Sequence, residues 1–339
     1  MRILKQSCVF LLVFCAVFHN TYAEEIRFKN GENTLSGHYL ENLNEGTAKG
    51  VLLFVHGDSA LPYDAEGYYP LVWNRLREHG YAVLSWDKMG VGDSSGNWLN
   101  QSMLDRQQET LSAVEFVQKT YGFTAHQTGL IGFSQAGWVV PAVANASDKV
   151  GFIIGVGFAT NWIDQGRYYT NIRLSESGAS EEQKQTALIT YQNEIDFLLS
   201  SPAYESYQER VGDGGMPEDR FAFVVKNMRS DSTDDYKKLS KPALFLWGED
   251  DLNVDAKMEF SLWSENTKYH LNHSNNRQII TTKLIQGANH GLLKSATFDT
   301  QQFGFMNWLA MLWLEEEALS PEFLSTVLDW LNQTVNLEK

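Results

Sequence analysis

Three short segments carry residue types that could perform covalent chemistry together. The first is Gly132-Phe133-Ser134-Gln135-Ala136-Gly137, which follows the apolar run Gly129-Leu130-Ile131 and precedes a helix-like stretch from Trp138 to Asn145. A serine on a sharp strand-to-helix turn holds its Oγ clear of the sheet, and the helix N-terminus behind it favours developing negative charge. Such a turn strains the serine, so the residues two before and two after it must be small; Ala136 stands where glycine is usual, and Gly137 follows it. The second segment is the apolar run Ala243 to Trp247, which leads into Gly248-Glu249-Asp250-Asp251. The third is Leu284-Ile285, which leads into Gly287-Ala288-Asn289-His290-Gly291.

A serine hydroxyl is a poor nucleophile until a base takes its proton. His290 is the candidate base, returning that proton to the leaving group, and Asp251 the candidate that holds the imidazole tautomer and stabilises the imidazolium. Glu249, Asp250 and Asp255 lie close by in the chain, and Asp251 is preferred for its place in the turn after the strand. Backbone N–H groups would bind the tetrahedral oxyanion, one from Gln135 and the other from the loop after His56-Gly57, at Asp58. A carboxylate at position 58 would oppose an oxyanion if it pointed inward, so it is expected to turn away. His56 is read as a structural residue of that loop, and Asp87 as a residue that fixes its own turn.

These residues need a scaffold that brings three strand ends together. Glu25 to Phe28 and Thr34 to Leu40 alternate like the strands of a hairpin around Asn30-Gly31. Val51 to Val55 reads as a strand buried on both faces, Tyr69 to His79 as a helix, Tyr81 to Trp86 as a strand and Leu104 to Tyr121 as a helix. The elbow strand and helix follow, then a strand from Val150 to Val156. Strands alternating with helices imply a parallel sheet, with chemistry at the carboxyl ends of its strands.

The alternation breaks between about 159 and 240, where Ser180 to Leu199 reads as one helix begun by a capping box and Phe221 to Met228 as a possible second. This stretch is expected to be a helical cap, and its aromatics (Trp162, Tyr168, Tyr169, Phe221, Phe223) to form cap core or line an acyl pocket. Phe323 to Leu331 reads as an amphipathic helix against the sheet.

The motifs resemble those of the α/β-hydrolase superfamily over nearly the whole chain, closest to its esterase and serine-aminopeptidase branch. The order serine, acid, histidine is that of the superfamily's triad. Val51 to Gly57 is similar to its strand and His-Gly oxyanion loop. Asp87-Lys88-Met89-Gly90-Val91-Gly92-Asp93-Ser94 is similar to its D-x-R-G-x-G-x-S turn, with Met89 in place of arginine. The resemblance implies an α/β fold, a mostly parallel sheet flanked by helices with a helical cap insertion. The expected division is a signal peptide at 1–23, a hydrolase core at 24–160 and 240–339, and the cap at 161–239.

Arg2 and Lys5, the apolar stretch Cys8 to Phe18 and the small-residue pattern ending at Ala23 have the layout of a secretory signal peptide. The apolar stretch is shorter than the roughly 20 residues of a spanning helix. Export to the periplasm or the extracellular space is therefore expected, without stable membrane insertion of the mature chain. Both cysteines, Cys8 and Cys15, would leave with the leader, which excludes disulfides and thiol catalysis. The net charge of −15 would become −17 on losing Arg2 and Lys5, a surface that repels phosphate backbones and argues against nucleic acid. His270 and His273 sit among Asn272, Ser274, Asn275 and Asn276, which read as an exposed loop and not a metal site. Asn100, Asn145, Asn272 and Asn332 each begin a glycosylation sequon.

The expectation is thus a serine hydrolase acting on a small-molecule carboxylic ester with no cofactor or metal. A serine aminopeptidase, with Glu176, Glu181 or Glu182 anchoring a substrate amine, and a non-catalytic binding protein on a hydrolase scaffold are the alternatives.

Overall fold

A computed structural model describes residues 23–273 and 280–335, with side chains to 265 and 334 in the two stretches. The expected leader, up to residue 22, lies outside the described residues. β1 (Ala23–Asn30) and β2 (Asn33–Leu40) form an antiparallel hairpin. Its turn needs Gly31, whose φ is +56°. β3 (Gly50–Val55), α1 (Tyr68–Glu78), β4 (Tyr81–Trp86), α2 (Met103–Tyr121), β5 (Thr128–Phe133), α3 (Val140–Ala146) and β6 (Phe152–Val156) then alternate. Between β6 and β7 (Ala243–Gly248) come α4 (Trp162–Glu176), α5 (Glu181–Leu199), α6 (Tyr204–Val211), α7 (Glu218–Asn227) and α8 (Thr233–Lys238). The chain continues through α9 (Ala256–His273), β8 (Ile280–Ile285), α10 (Ser295–Phe298), α11 (Phe305–Leu314) and α12 (Pro321–Val335).

The strands form one sheet in the order β1-β2-β4-β3-β5-β6-β7-β8. The two strands at the β1 edge run antiparallel to their neighbours, and β3 to β8 and β4 pair in parallel. β3, β4, β5, β6 and β7 are buried along their whole length, as continuous apolar runs require when helices cover both faces. One face packs against Val114 and Val117 of α2, Val140 and Val143 of α3, and Trp263 of α9. The other packs against Leu71 and Trp73 of α1, and Phe323, Val327 and Leu331 of α12. The β6–β7 segment has a small core of its own, including Ile195, Leu198, Tyr207 and Phe221.

The centre of the sheet is shaped by a glycine pair. Gly132 of β5 and Gly155 of β6 are register partners, and Phe158 lies over both. A Cβ at Gly132 would come within 2.9 Å of the Phe158 ring, and one at Gly155 within 2.5 Å. The missing side chains thus leave room for one aromatic ring, which packs beneath the turn that follows β5.

Several sequence expectations shift. β6 starts at Phe152, not Val150. The helix expected directly after the elbow is divided, a tight turn over Ser134–Trp138 preceding α3. α4, α6, α8, α9, α10 and α11 were not foreseen; α4 has no buried residue to mark an apolar stripe. His270 and His273 belong to the end of α9 and not to a loop. Asn and Ser are weak helix formers, but α9 packs along β8 and the helix runs on through Asn272. Among the described residues no helix is long and apolar enough to cross a membrane.

Candidate active site

Ser134 follows β5 directly and has φ +51°, in the left-handed region that costs a residue with a Cβ about 1–2 kcal/mol. Its neighbourhood explains how this is held. A Cβ at Gly132 would meet the Ala136 methyl at 2.9 Å and Val140 at 2.8 Å. The Ala136 methyl therefore occupies space that Gly132 leaves free, and the turn has room for one methyl across those two positions. Gly57 packs on the same turn, since its Cβ would stand 3.2 Å from the Phe133 carbonyl and 3.4 Å from the Ser134 Cβ.

Asp251 and His290 are brought together by the ends of β7 and β8. The Glu249 N–H donates to the Ile285 carbonyl and the Asp250 N–H to Ala288. A Cβ at Gly248 would strike the Ala288 and Asn289 carbonyls at 2.2 Å, so the two turns touch backbone to backbone. The Asn289 side chain accepts from the N–H groups of Gly291 and Leu293 and donates to the Phe298 carbonyl, which fixes the histidine loop. The Tyr68 hydroxyl donates to the Gly291 carbonyl from the start of α1.

Within this frame the Asp251 Oδ2 lies 2.8 Å from the His290 Nδ1. A carboxylate can only accept, so Nδ1 carries the proton and Nε2 keeps its lone pair. The other Asp251 oxygen accepts from the N–H groups of Asn253 (2.7 Å) and Val254 (2.9 Å), and the carboxylate is buried. Burial acts to lower the His290 pKa, but the charge and hydrogen bond of Asp251 outweigh it and leave it raised above 6.5. A Cβ at Gly157, in the loop after β6, would lie 3.0 Å from the imidazole, so that loop walls the ring closely.

The neighbouring carboxylates are engaged elsewhere. Asp250 accepts from the Ser295 hydroxyl, Asp255 from the Met258 N–H at the start of α9, and Glu249 pairs with Lys257. Asp251 is the one of the four that meets His290.

The loop around Gly57 rests on two buried charges, Lys88 and Arg106. The Lys88 Nζ donates to the Gly57 carbonyl at 3.0 Å and stands 4.4 Å over the Trp98 ring. The Arg106 guanidinium donates to the His56 carbonyl and, at 2.7 Å, to the Gln135 side-chain carbonyl. One side chain of α2 thus ties the loop carrying Asp58 to the residue after Ser134. Glu109 offsets part of this charge and accepts from Trp86 Nε1 and Gln101 Nε2. The signal for Arg106 was its place on the α2 stripe, in line with Met103, Thr110, Ala113, Val114 and Val117, all buried. His56 donates from Nε2 to the Trp86 carbonyl, and burial pulls its pKa down to about 3, so it stays neutral and structural. Asp87 accepts from the Tyr63 N–H. Met89 fills the place of the family arginine as a buried side chain against Gly96.

Asp58 is bound by the β6–β7 segment. Its two carboxylate oxygens accept from the Arg220 guanidinium of α7 at 2.6 and 3.0 Å. Burial alone would raise the Asp58 pKa; the bonds and charge of Arg220, with Lys88 nearby, leave it lowered. The Tyr168 hydroxyl of α4 donates to the Asp251 carbonyl, a second contact between this segment and the strand ends. Among the described residues no group of three or more His, Cys, Asp or Glu side chains is placed to hold a metal ion.

The profile of the alpha/beta hydrolase family matches residues 52–296, and the chain belongs to that family. Solved structures share the fold at low identity. An esterase of Pyrococcus furiosus is 14% identical with a TM-score of 0.58, over 93% of this chain and 92% of its own. A proline iminopeptidase of Mycobacterium smegmatis is 14% identical with a TM-score of 0.58, over 93% and 100%. Est1E of Butyrivibrio proteoclasticus, solved with ferulic acid bound, is 14% identical with a TM-score of 0.55, over 92% and 99%. No curated protein matches the sequence.

The Arg106 bridge yields a stability test. Arg106→Met should lower the unfolding free energy by about 2–4 kcal/mol, because two buried carbonyls lose their donor and Glu109 loses a neighbouring positive charge. Urea denaturation followed by tryptophan fluorescence measures it, and a loss under 1 kcal/mol would remove the bridge from the supports of the loop.

Proposed function

We propose that the protein is an exported serine hydrolase that cleaves carboxylic esters through an acyl-enzyme. The observation that carries this reading is the 2.8 Å bond between Asp251 and His290, at the ends of β7 and β8 in the same sheet whose β5 leads into the left-handed turn at Ser134. In the proposed reaction the Ser134 Oγ attacks the ester carbonyl while His290 Nε2 takes the hydroxyl proton. The N–H groups of Gln135 and Asp58 receive the oxyanion. The imidazolium, stabilised by Asp251, returns the proton to the departing alkoxide, leaving the acyl group on Ser134. Water, deprotonated by His290, then releases the acid and restores the serine. Residues 161–239 serve in this reading as the cap over the site, tied down through Arg220 and Tyr168.

Esters are favoured over amides because an alkoxide is the better leaving group and asks less of the general acid. The candidate anchors of the aminopeptidase alternative, Glu176, Glu181 and Glu182, are all exposed, which gives that reading no buried carboxylate among them. Purified protein should hydrolyse p-nitrophenyl acetate or butyrate, and its Ser134 should react with a fluorophosphonate. Ser134→Ala and His290→Ala should each abolish turnover without their effects adding. Hydrolysis of aminoacyl anilides but no ester would favour the peptidase; inertness to both and to the probe would favour a binding scaffold. The same preparation tests export, whose expected mature N-terminus is Glu24; a retained Met1 would refute it.

The acid assignment has its own signature. The pKa of His290 is raised by Asp251, so activity should climb as pH passes through a value above 6.5 and the imidazole becomes neutral. Asp251→Asn should cut kcat by about 10³–10⁴-fold and move that limb to lower pH, because the burial that depresses the pKa then acts unopposed. Asp250→Asn should leave both nearly unchanged. A pH–rate profile whose limb stays in place in Asp251→Asn would overturn the assignment.

A further inference from the structure

α11 presents an apolar face to solvent. Phe305, Met306, Leu309, Leu312 and Trp313 are 69%, 73%, 40%, 37% and 86% exposed, and Phe303 just before the helix is 46% exposed. The inner side of the helix is anchored, with Met311 in the core beside α12 and Trp308 Nε1 donating to the Glu66 carbonyl, and Leu312 stands at the edge of the face, partly against Gly67. The six exposed side chains offer on the order of 700 Å² of apolar surface, taking an aromatic side chain as about 200 Å². That exceeds the roughly 300–600 Å² of the largest patch on an ordinary monomer. It approaches the ~800 Å² each partner gives to a stable interface.

The spacing of this face suits a second copy of the same helix. Phe305 and Trp313 lie four residues to either side of Leu309, and Met306 and Leu312 three to either side. An antiparallel two-fold contact through Leu309 fits this spacing, because residue i of one copy then meets j of the other while j meets i. We infer that α11 is the interface of a homodimer, two copies of the helix crossing antiparallel about Leu309, with Phe305 and Met306 of each against Trp313 and Leu312 of the other.

Charge supports a second copy over a bilayer. α11 has no Lys or Arg, and Glu315, Glu316 and Glu317 follow it at once. Helices that lie on membranes carry basic residues on their polar face, and an acidic cluster is repelled by anionic lipid. Glu316 pairs with Arg75 of its own chain, whereas Glu315 and Glu317 oppose their own helix dipole. Antiparallel pairing sets them beside the N-terminus of the partner's α11, where the dipole favours them. The inference makes no use of the catalytic reading and survives its failure.

Sedimentation equilibrium of the purified protein at micromolar concentration should give a dimer. Trp313→Lys and, separately, Phe305→Lys should raise the dissociation constant at least tenfold, as for a central aromatic anchor. Both side chains are mostly exposed, so circular dichroism melts should show the monomer folded. In a Cys8→Ser/Cys15→Ser background, Leu309→Cys should form an intermolecular disulfide on mild oxidation. Leu104→Cys, 71% exposed on α2, should not. A wild-type monomer at all concentrations, a dimer indifferent to both lysines, or cross-linking no better at 309 than at 104 would overturn the proposal. So would a monomer that cosediments with phosphatidylcholine vesicles through Trp313, which would give the face to a bilayer.

Discussion

The left-handed backbone at Ser134 is the constraint around which the centre of the molecule is arranged. A residue with a Cβ does not stay in that conformation unless its surroundings over-determine it. Here β5 delivers the serine at a fixed register beside β6, the glycine pair admits Phe158 beneath, and the Ala136 methyl closes the remaining space. Gly57 presses the neighbouring loop onto the same turn. The strain at Ser134 is thus held by packing on several sides at once, from the sheet below, from within the turn and from the loop at Gly57.

Buried charge performs a second, related task. Lys88 and Arg106 are almost wholly enclosed in a protein of net charge −15. Desolvating such groups is costly unless they meet good acceptors, and here the acceptors are the carbonyls of Gly57 and His56 and the amide of Gln135. Carbonyls facing inward to cations leave the N–H groups of the same peptides facing the other way. A local positive environment is thereby kept inside an acidic surface, offset in part by Glu109, and the carboxylate of Asp58 at the loop is bound by a third cation, Arg220.

The parts of this arrangement that were legible in the sequence are those with short-range signals. Each of Ser134, Asp251 and His290 follows an apolar run within a few residues, so strand and turn could be read together. The pairing of Asp251 with His290 crosses 39 residues, yet it follows once both strands are assigned to one sheet. The ion pair of Asp58 with Arg220 spans 162 residues and leaves no local trace on either side. Arg106 did leave a trace, a charge on a buried stripe. α4 and α11 escaped for opposite reasons: α4 buries no residue fully, and α11 is apolar nearly all round, so neither shows the periodicity by which a half-buried helix declares itself.

α7 is fastened at its two ends by bonds of different kinds. Near its C-terminus the neutral amide of Asn227 is buried, accepting from the Met103 N–H and donating to the Gln101 carbonyl. Near its N-terminus Arg220 holds Asp58 in a half-exposed ion pair. Dissolved salt weakens the second and barely touches the first. Rising ionic strength therefore loosens the grip on Asp58 alone, while Asn227 and the buried Phe221 and Phe223 keep the helix seated, so salt acts on the carboxylate beside Gly57 before it acts on the position of the segment.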